Sequence, residues 1–336
     1  MKRKAIYILL VLAPLFCIFS SLFVGRYALS FDTVTNVLWC KLAGAFCYEA
    51  ATAQTLVWDI RLPRVLLGGL VGGCLAISGA AFQGLFRNPL VSSGILGVSS
   101  GAGFGAALAI ILFHGSTIAI YTFAFGFALL AVLASYMIGR VYSTTPSIML
   151  VLGGTIVSSV FAALISFAKY VADPYQELPS IVFWLMGSLA TASFTDLAIA
   201  GGPMIIGIVG LIGIKWRINV LSMGDREAHA LGINLFVDKG LVIIFATLAT
   251  AGAVCVSGII GWVGLIIPHI CRMLVGNDNR VLIPASLSLG ACFLIMVDDA
   301  GRIITGGEIP LGILTALIGA PFFVWLLKQT KGGGWS

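Results

Sequence analysis

The sequence predicts an all-α polytopic membrane protein of about ten transmembrane helices. Of its 336 residues, 60% are hydrophobic and 10% charged, against roughly a quarter charged in a water-soluble domain. The mean hydropathy of +1.09 points the same way. The apolar residues also form runs long enough to cross about 30 Å of hydrocarbon as helix. A β-barrel is excluded because these runs are continuously apolar rather than alternating.

In chain order, the first run spans 5–24 and follows Lys2-Arg3-Lys4. That start resembles a signal peptide, but the run is long and no clean small-x-small cleavage site follows, so it is expected to stay as the first helix. A polar outside segment, 25–62, precedes span two at 65–83, which lies between Arg61-Leu-Pro-Arg64 and the proline-broken stretch from Gln83 to Leu90. Spans three to six are expected at 94–113, 117–139, 148–169 and 197–214, and a short inside segment, 215–239, leads to span seven at 240–258. A broken span at 260–275 carries Pro268, His269 and Arg272, and the last two spans lie at 281–298 and 309–327. The tail from Gly332 to Ser336 reads as a loose terminus. Neither polar segment is long enough for a core of its own, so residues 1–336 are expected to form one transmembrane domain.

With the amino terminus in the cytoplasm, thirteen Lys and Arg fall inside and six outside. This satisfies the positive-inside rule and predicts both termini cytoplasmic. The net charge of +6 is therefore mostly a topology signal, not a nucleic-acid signal. Among 41 glycines, Gly97, Gly101 and Gly105 recur every four residues, as do Gly68 with Gly72 and Gly69 with Gly73. Such spacing predicts seams where helix backbones approach closely.

Motifs for covalent chemistry are missing. The seven cysteines show no metal-ligand spacing. Cys40 and Cys47 share the first outside segment, where an oxidising exterior could join them, or they are two buried small hydrophobes. His269 and Cys271 stand at i, i+2 and do not face each other on a helix. The string from Gly101 to Ala106 lies inside a span rather than after a strand, so it is no dinucleotide loop, and no Gly-x4-Gly-Lys-Ser/Thr occurs. Any ATP must be handled by another subunit. A faint echo relates Gly84 to Pro89 with Gly264 to Pro268, about 180 residues apart; five spans between them would make the halves an inverted repeat.

Five stretches carry a family resemblance. Arg61-Leu-Pro-Arg64, Gln83 to Leu90, Leu96 to Ala102, Gly264 to Arg272, and Glu308 to Gly312 continuing through Gly319 to Phe322 look like the permease subunit of type II ABC importers. The resemblance covers about residues 26–327 in order. It implies a multi-pass permease of a bacterial or archaeal cytoplasmic (inner) membrane, fed by a periplasmic or lipid-anchored substrate-binding protein. It also implies a homodimer with two cytoplasmic ABC ATPase subunits that hold the ATP and Mg. The cargo would be a metal chelate: ferric siderophore first, with haem, cobalamin or molybdate and tungstate as alternatives. No cofactor, metal site or catalytic residue is expected in this chain, and no partner besides membrane lipid and those subunits.

Three sites follow. On the outside, Arg61, Arg64 and Arg302 are expected as exposed cations, which could grip carboxylates of a docking protein or snorkel to headgroups; the resemblance implies docking. Asp298 and Asp299 lie at i, i+4 and i, i+3 from Arg302 and are expected to neutralise it. On the inside, Gly224 to Asn234 offers a short amphipathic helix ended by glycine, with charges on one side and Ala228 and Leu231 on the other. The resemblance makes Gly224, Ala228, Leu231 and Gly232 the element that couples to the ATPase. It also places the cytoplasmic gate at Asn88, Leu90, Ser143 and Thr144, although Ser143 to Thr145 could simply cap the fifth helix. The pathway wall, expected to include spans five and ten, is almost free of charge. The alternative from another class is an ion-gradient-driven secondary transporter with Asp298, Asp299 and Glu308 as carriers; a membrane-embedded enzyme would need a nucleophile or metal cluster that the sequence lacks.

Overall fold

A computed structural model describes residues 2–44, 46–140, 147–304 and 307–329, with side chains from Ile8 onward except those of Leu327 and Gln329. Among the described residues, every regular element is a helix. The first helix, α1, is Lys2–Ser21; α2 (Phe31–Ala43) and α3 (Ala51–Gln54) lie in the outer segment. A π-helical stretch, Thr55–Arg61, runs without a break into α4 (Leu62–Phe86). Then come α5 (Val98–Phe113), α6 (Thr117–Gly139), α7 (Ser147–Val171), α8 (Glu177–Met186) and α9 (Phe194–Gly213). Two short helices, α10 (Lys215–Leu221) and α11 (Asp225–Ala230), precede α12 (Leu235–Ser257), α13 (Val263–Val275), α14 (Asn279–Ile303) and α15 (Leu311–Gln329).

Each expected apolar run is a helix. Six stretches, including the continuous Ala51–Phe86, are long and apolar enough to cross a membrane, while α5, α13 and the described parts of α1 and α15 are shorter. The broken span is the expected one: after α12 the chain leaves helical geometry at Gly258, and Trp262 takes a left-handed φ of 69° before α13 begins. Short α8 was hidden in what reads as an outer loop. Cys40 and Cys47 are joined as a disulfide, their Cα atoms 5.5 Å apart.

Helix α4 is the centre, buried along most of its length between α12, α13 and α14. Its glycines explain how. A Cβ on Gly72 would strike the carbonyl of Gly290 in α14, and one on Gly79 would strike Gly264 in α13. Likewise Gly101 and Gly105 of α5 lie against the Phe127 and Phe123 carbonyls of α6. These are the close backbone contacts that small residues permit between helices in lipid. Gly97 departs from that seam: it precedes α5 with a φ of 85° and acts as its cap.

The unbroken helix through Arg61 and Arg64 corrects the expectation that the Arg-Leu-Pro-Arg stretch ends a loop. Proline lacks an N–H and crowds the carbonyl four residues back. The chain answers with a wider turn, in which Leu62 donates to Val57 five residues away. Pro63 then sits at the start of α4 without ending the helix.

Candidate functional site

At one end of the bundle, expected to be the outer one, the π-helical turn and the start of α4 bring Arg61 and Arg64 against the end of α14. Arg64 forms a fork with Asp298, Nε to Oδ2 and Nη2 to Oδ1 both at 2.9 Å, and its Nη1 and Nη2 reach Glu308 at 2.9 and 3.0 Å. Arg302 pairs with Asp298 at 3.3 Å and with Asp299, and donates to Ser21 and to the Val24 carbonyl. Arg61 donates instead to the carbonyls of Leu22 and Tyr27, at 2.7 and 2.5 Å, which pins the chain after α1. Gly25 leaves the room: a Cβ there would stand 2.9 Å from Arg61 Nη2.

The three arginines are only 4%, 7% and 7% exposed, so the expectation of exposed cations is corrected. A buried guanidinium needs carboxylates and carbonyls around it. Here Asp298, Asp299 and Glu308 supply the carboxylates around Arg64 and Arg302, and main-chain carbonyls serve Arg61. The pairing of Arg302 with both aspartates is as the spacing predicts; the fork from Arg64 joins residues 234 apart in sequence, which no local pattern signals. Glu308 keeps 38% of its side chain exposed, and the hydrogen bond from Arg64 holds its carboxyl below the usual carboxylate range.

At the opposite end of α4, Gln83 ties three segments together. Its amide nitrogen donates to the carbonyls of Val91 and Gly264, and Arg272 Nη2 donates to its oxygen at 2.5 Å. Gln83, directly before the first echoing stretch, thus reaches Gly264, the start of the second. Sequence reasoning quoted Gln83 in a motif but gave it no role. Beside it, Arg87 takes a left-handed φ of 51°, and the Asn88 side-chain oxygen accepts from the Leu90 N–H at 2.9 Å. Asn88 thus builds the turn, while Leu90 is 52% exposed. Ser143 and Thr144 lie outside the described residues.

The third cluster is formed by α10, α11 and the start of α12. Gly224 opens α11 with a φ of 133°, and Gly232 follows it at 81°, the expected glycine ending. Ala228 and Leu231 do not share a face, contrary to expectation. Ala228 is fully buried against the bundle, whereas Leu231 is 56% exposed among the charges. The reason is that α11 has only six residues and buries Ala228 alone of them, with Leu231 already past its end. Lys239 reaches Asp225 at 2.8 Å and Arg217 reaches Asp238 at 2.5 Å, which fixes α10 and α11 to α12. Trp216, Leu231 and Val237 edge a surface groove of about 280 Å³. Among the described residues, no group of three or more His, Cys, Asp or Glu could hold a metal.

Residues 10–329 match the model of the FecCD transport family. The chain belongs to that family, the permeases of type II ABC importers. It is 42% identical to the Haemophilus influenzae molybdate import system permease protein MolB, over 94% of this chain and 92% of that one. It is 43% identical to a Helicobacter pylori probable iron chelatin transport system permease protein, over 84% and 86%. Other relatives are named for cobalamin and hemin transport. A solved structure described as an inward-facing conformation of a metal-chelate type ABC transporter superposes with a TM-score of 0.87 at 39% identity, covering 97% of this chain and 99% of that one. This FecCD permease is a transport subunit.

Proposed function

We propose that this permease carries a metal chelate inward across the cytoplasmic membrane as a homodimer, driven by two ABC ATPase subunits that hold the ATP and Mg. The observation that carries the reading is the rigidly anchored α10–α11 surface. Exposed Met223 and Leu231 flank α11, which the Lys239–Asp225 ion pair clamps to α12 as Arg217–Asp238 clamps α10, as an element that transmits a push must be. With no phosphate-binding motif in the sequence, the energy enters from a partner. Only a partner with different affinity for the inward and outward states shifts their populations.

The pathway wall would be α7 with α15. Helix α7 is among the least buried spans, and its exposed Thr155, Ser159 and Ser166 turn their hydroxyls to their own backbone carbonyls four residues back. A wall so weakly polar does not hold cargo, which supports selection by an external binding protein. Arg61, Arg64 and Arg302 would shape the surface where that protein docks, and a carboxylate from it would reach Arg64 only by displacing Glu308. Asn88 and Leu90 would line the inner gate.

For the cargo, a ferric chelate is our first reading. Molybdate is the second, favoured by the relative matched over 94% of the chain. Measuring which ligand the cognate binding protein retains separates them. For the mechanism, the permease and its ATPase in liposomes should import only with ATP. Uptake that persists without ATP but collapses with the ion gradient would overturn the proposal in favour of an ion-driven carrier.

A further inference from the structure

The described surface carries a large apolar groove away from the α7 and α15 wall proposed for the pathway. It lies between α6 and α12, has a volume of about 680 Å³, and is walled by Leu129, Leu133 and Tyr136 on one side and Phe236, Gly240 and Ile244 on the other. No charged side chain lines it. Gly240 keeps it open, since a Cβ built there meets nothing within 4 Å. At one mouth, directly after α6, the Arg140 guanidinium lies over the Phe236 ring, 5.5 Å from its centre.

The geometry points to a binding site for one anionic phospholipid, its acyl chain in the groove and its phosphate on Arg140. Length supports that occupant: from Phe236 to Leu248 the groove follows twelve residues of α12, about 18 Å at 1.5 Å per residue, close to half of a hydrocarbon core of about 30 Å. The groove therefore takes one chain of one leaflet. Charge supports it too, because a guanidinium stacked on an aromatic face can still present N–H donors to a phosphate. With the amino terminus in the cytoplasm, as the distribution of Lys and Arg predicts, Arg140 and the bound lipid would belong to the inner leaflet; the binding itself does not depend on that orientation.

Native mass spectrometry of the purified permease with phosphatidylglycerol or phosphatidylcholine tests it. The wild type should retain phosphatidylglycerol preferentially. Arg140→Gln should weaken that retention about fivefold, the effect of one basic residue at an anionic surface, and erase the preference. Gly240→Leu, whose side chain enters open space, should weaken retention of both lipids roughly tenfold by displacing chain contacts. Retention unchanged in either variant overturns the site. So does a change of oligomeric state in Gly240→Leu, which would show the groove to be covered by protein. ATP-driven uptake is measured separately, so failure of lipid binding and failure of the transport reading are told apart.

Discussion

Arg64 makes hydrogen bonds to two carboxylates from within a helix that other helices surround, and its contribution follows from that burial. Removing one partner of a buried pair leaves an uncompensated charge, which costs about 3–5 kcal/mol. Arg64→Ala should therefore lower the melting temperature of the detergent-solubilised permease sharply. The double variant Arg64→Met with Asp298→Leu should recover much of the loss, because Asp299 continues to hold Arg302. Glu308→Gln should cost at most about 1 kcal/mol, since that carboxylate is partly exposed. Its effect has a pH sign. The folded carboxyl is depressed by Arg64, so its stabilisation is present above the ordinary glutamate value of about 4.3 and fades as pH falls through the lowered value. Melting curves of wild type and Glu308→Gln should differ at neutral pH and converge in acid.

Whole helices depend on where a Cβ is forbidden. Gly79→Ala places a methyl against the Gly264 backbone and should destabilise the α4–α13 contact by about 1–3 kcal/mol. By contrast, Gly126→Ala in α6 meets open space and should be neutral or stabilising by up to about 1 kcal/mol. Thermal unfolding of the two variants side by side checks the difference. In the α10–α11 cluster, burial divides two neighbours of the same motif. Leu231→Asp should leave stability within about 0.5 kcal/mol while uncoupling ATP hydrolysis from uptake, whereas Ala228→Arg should unfold the segment. Normal uptake by a stable Leu231→Asp variant would remove α11 from the coupling role.

Across the molecule, Gln83 connects the turn after α4, the first turn of α13 and Arg272. Losing it orphans Arg272 and two carbonyls, about 1–3 kcal/mol for each buried group left unpaired. Gln83→Ala should therefore loosen the inner end of the bundle, read as faster cysteine labelling at Leu90→Cys in the Gln83→Ala background than in Gln83 itself. Equal labelling rates would show that the inner turn is held by Asn88 alone.

The sequence by itself determined the class, the spans, the break at 260–275 and the i, i+3 and i, i+4 pairing around Arg302. Those features follow from hydropathy and from neighbours along one helix, which a linear chain states directly. Tertiary structure alone decided that Arg61 and Arg64 are buried, that Asp298 answers Arg64 from 234 residues away, and that Ala228 faces the bundle while Leu231 does not. Exposure and long-range ion pairing depend on which helices become neighbours in the folded bundle, and spacing along the chain carries no measure of that distance.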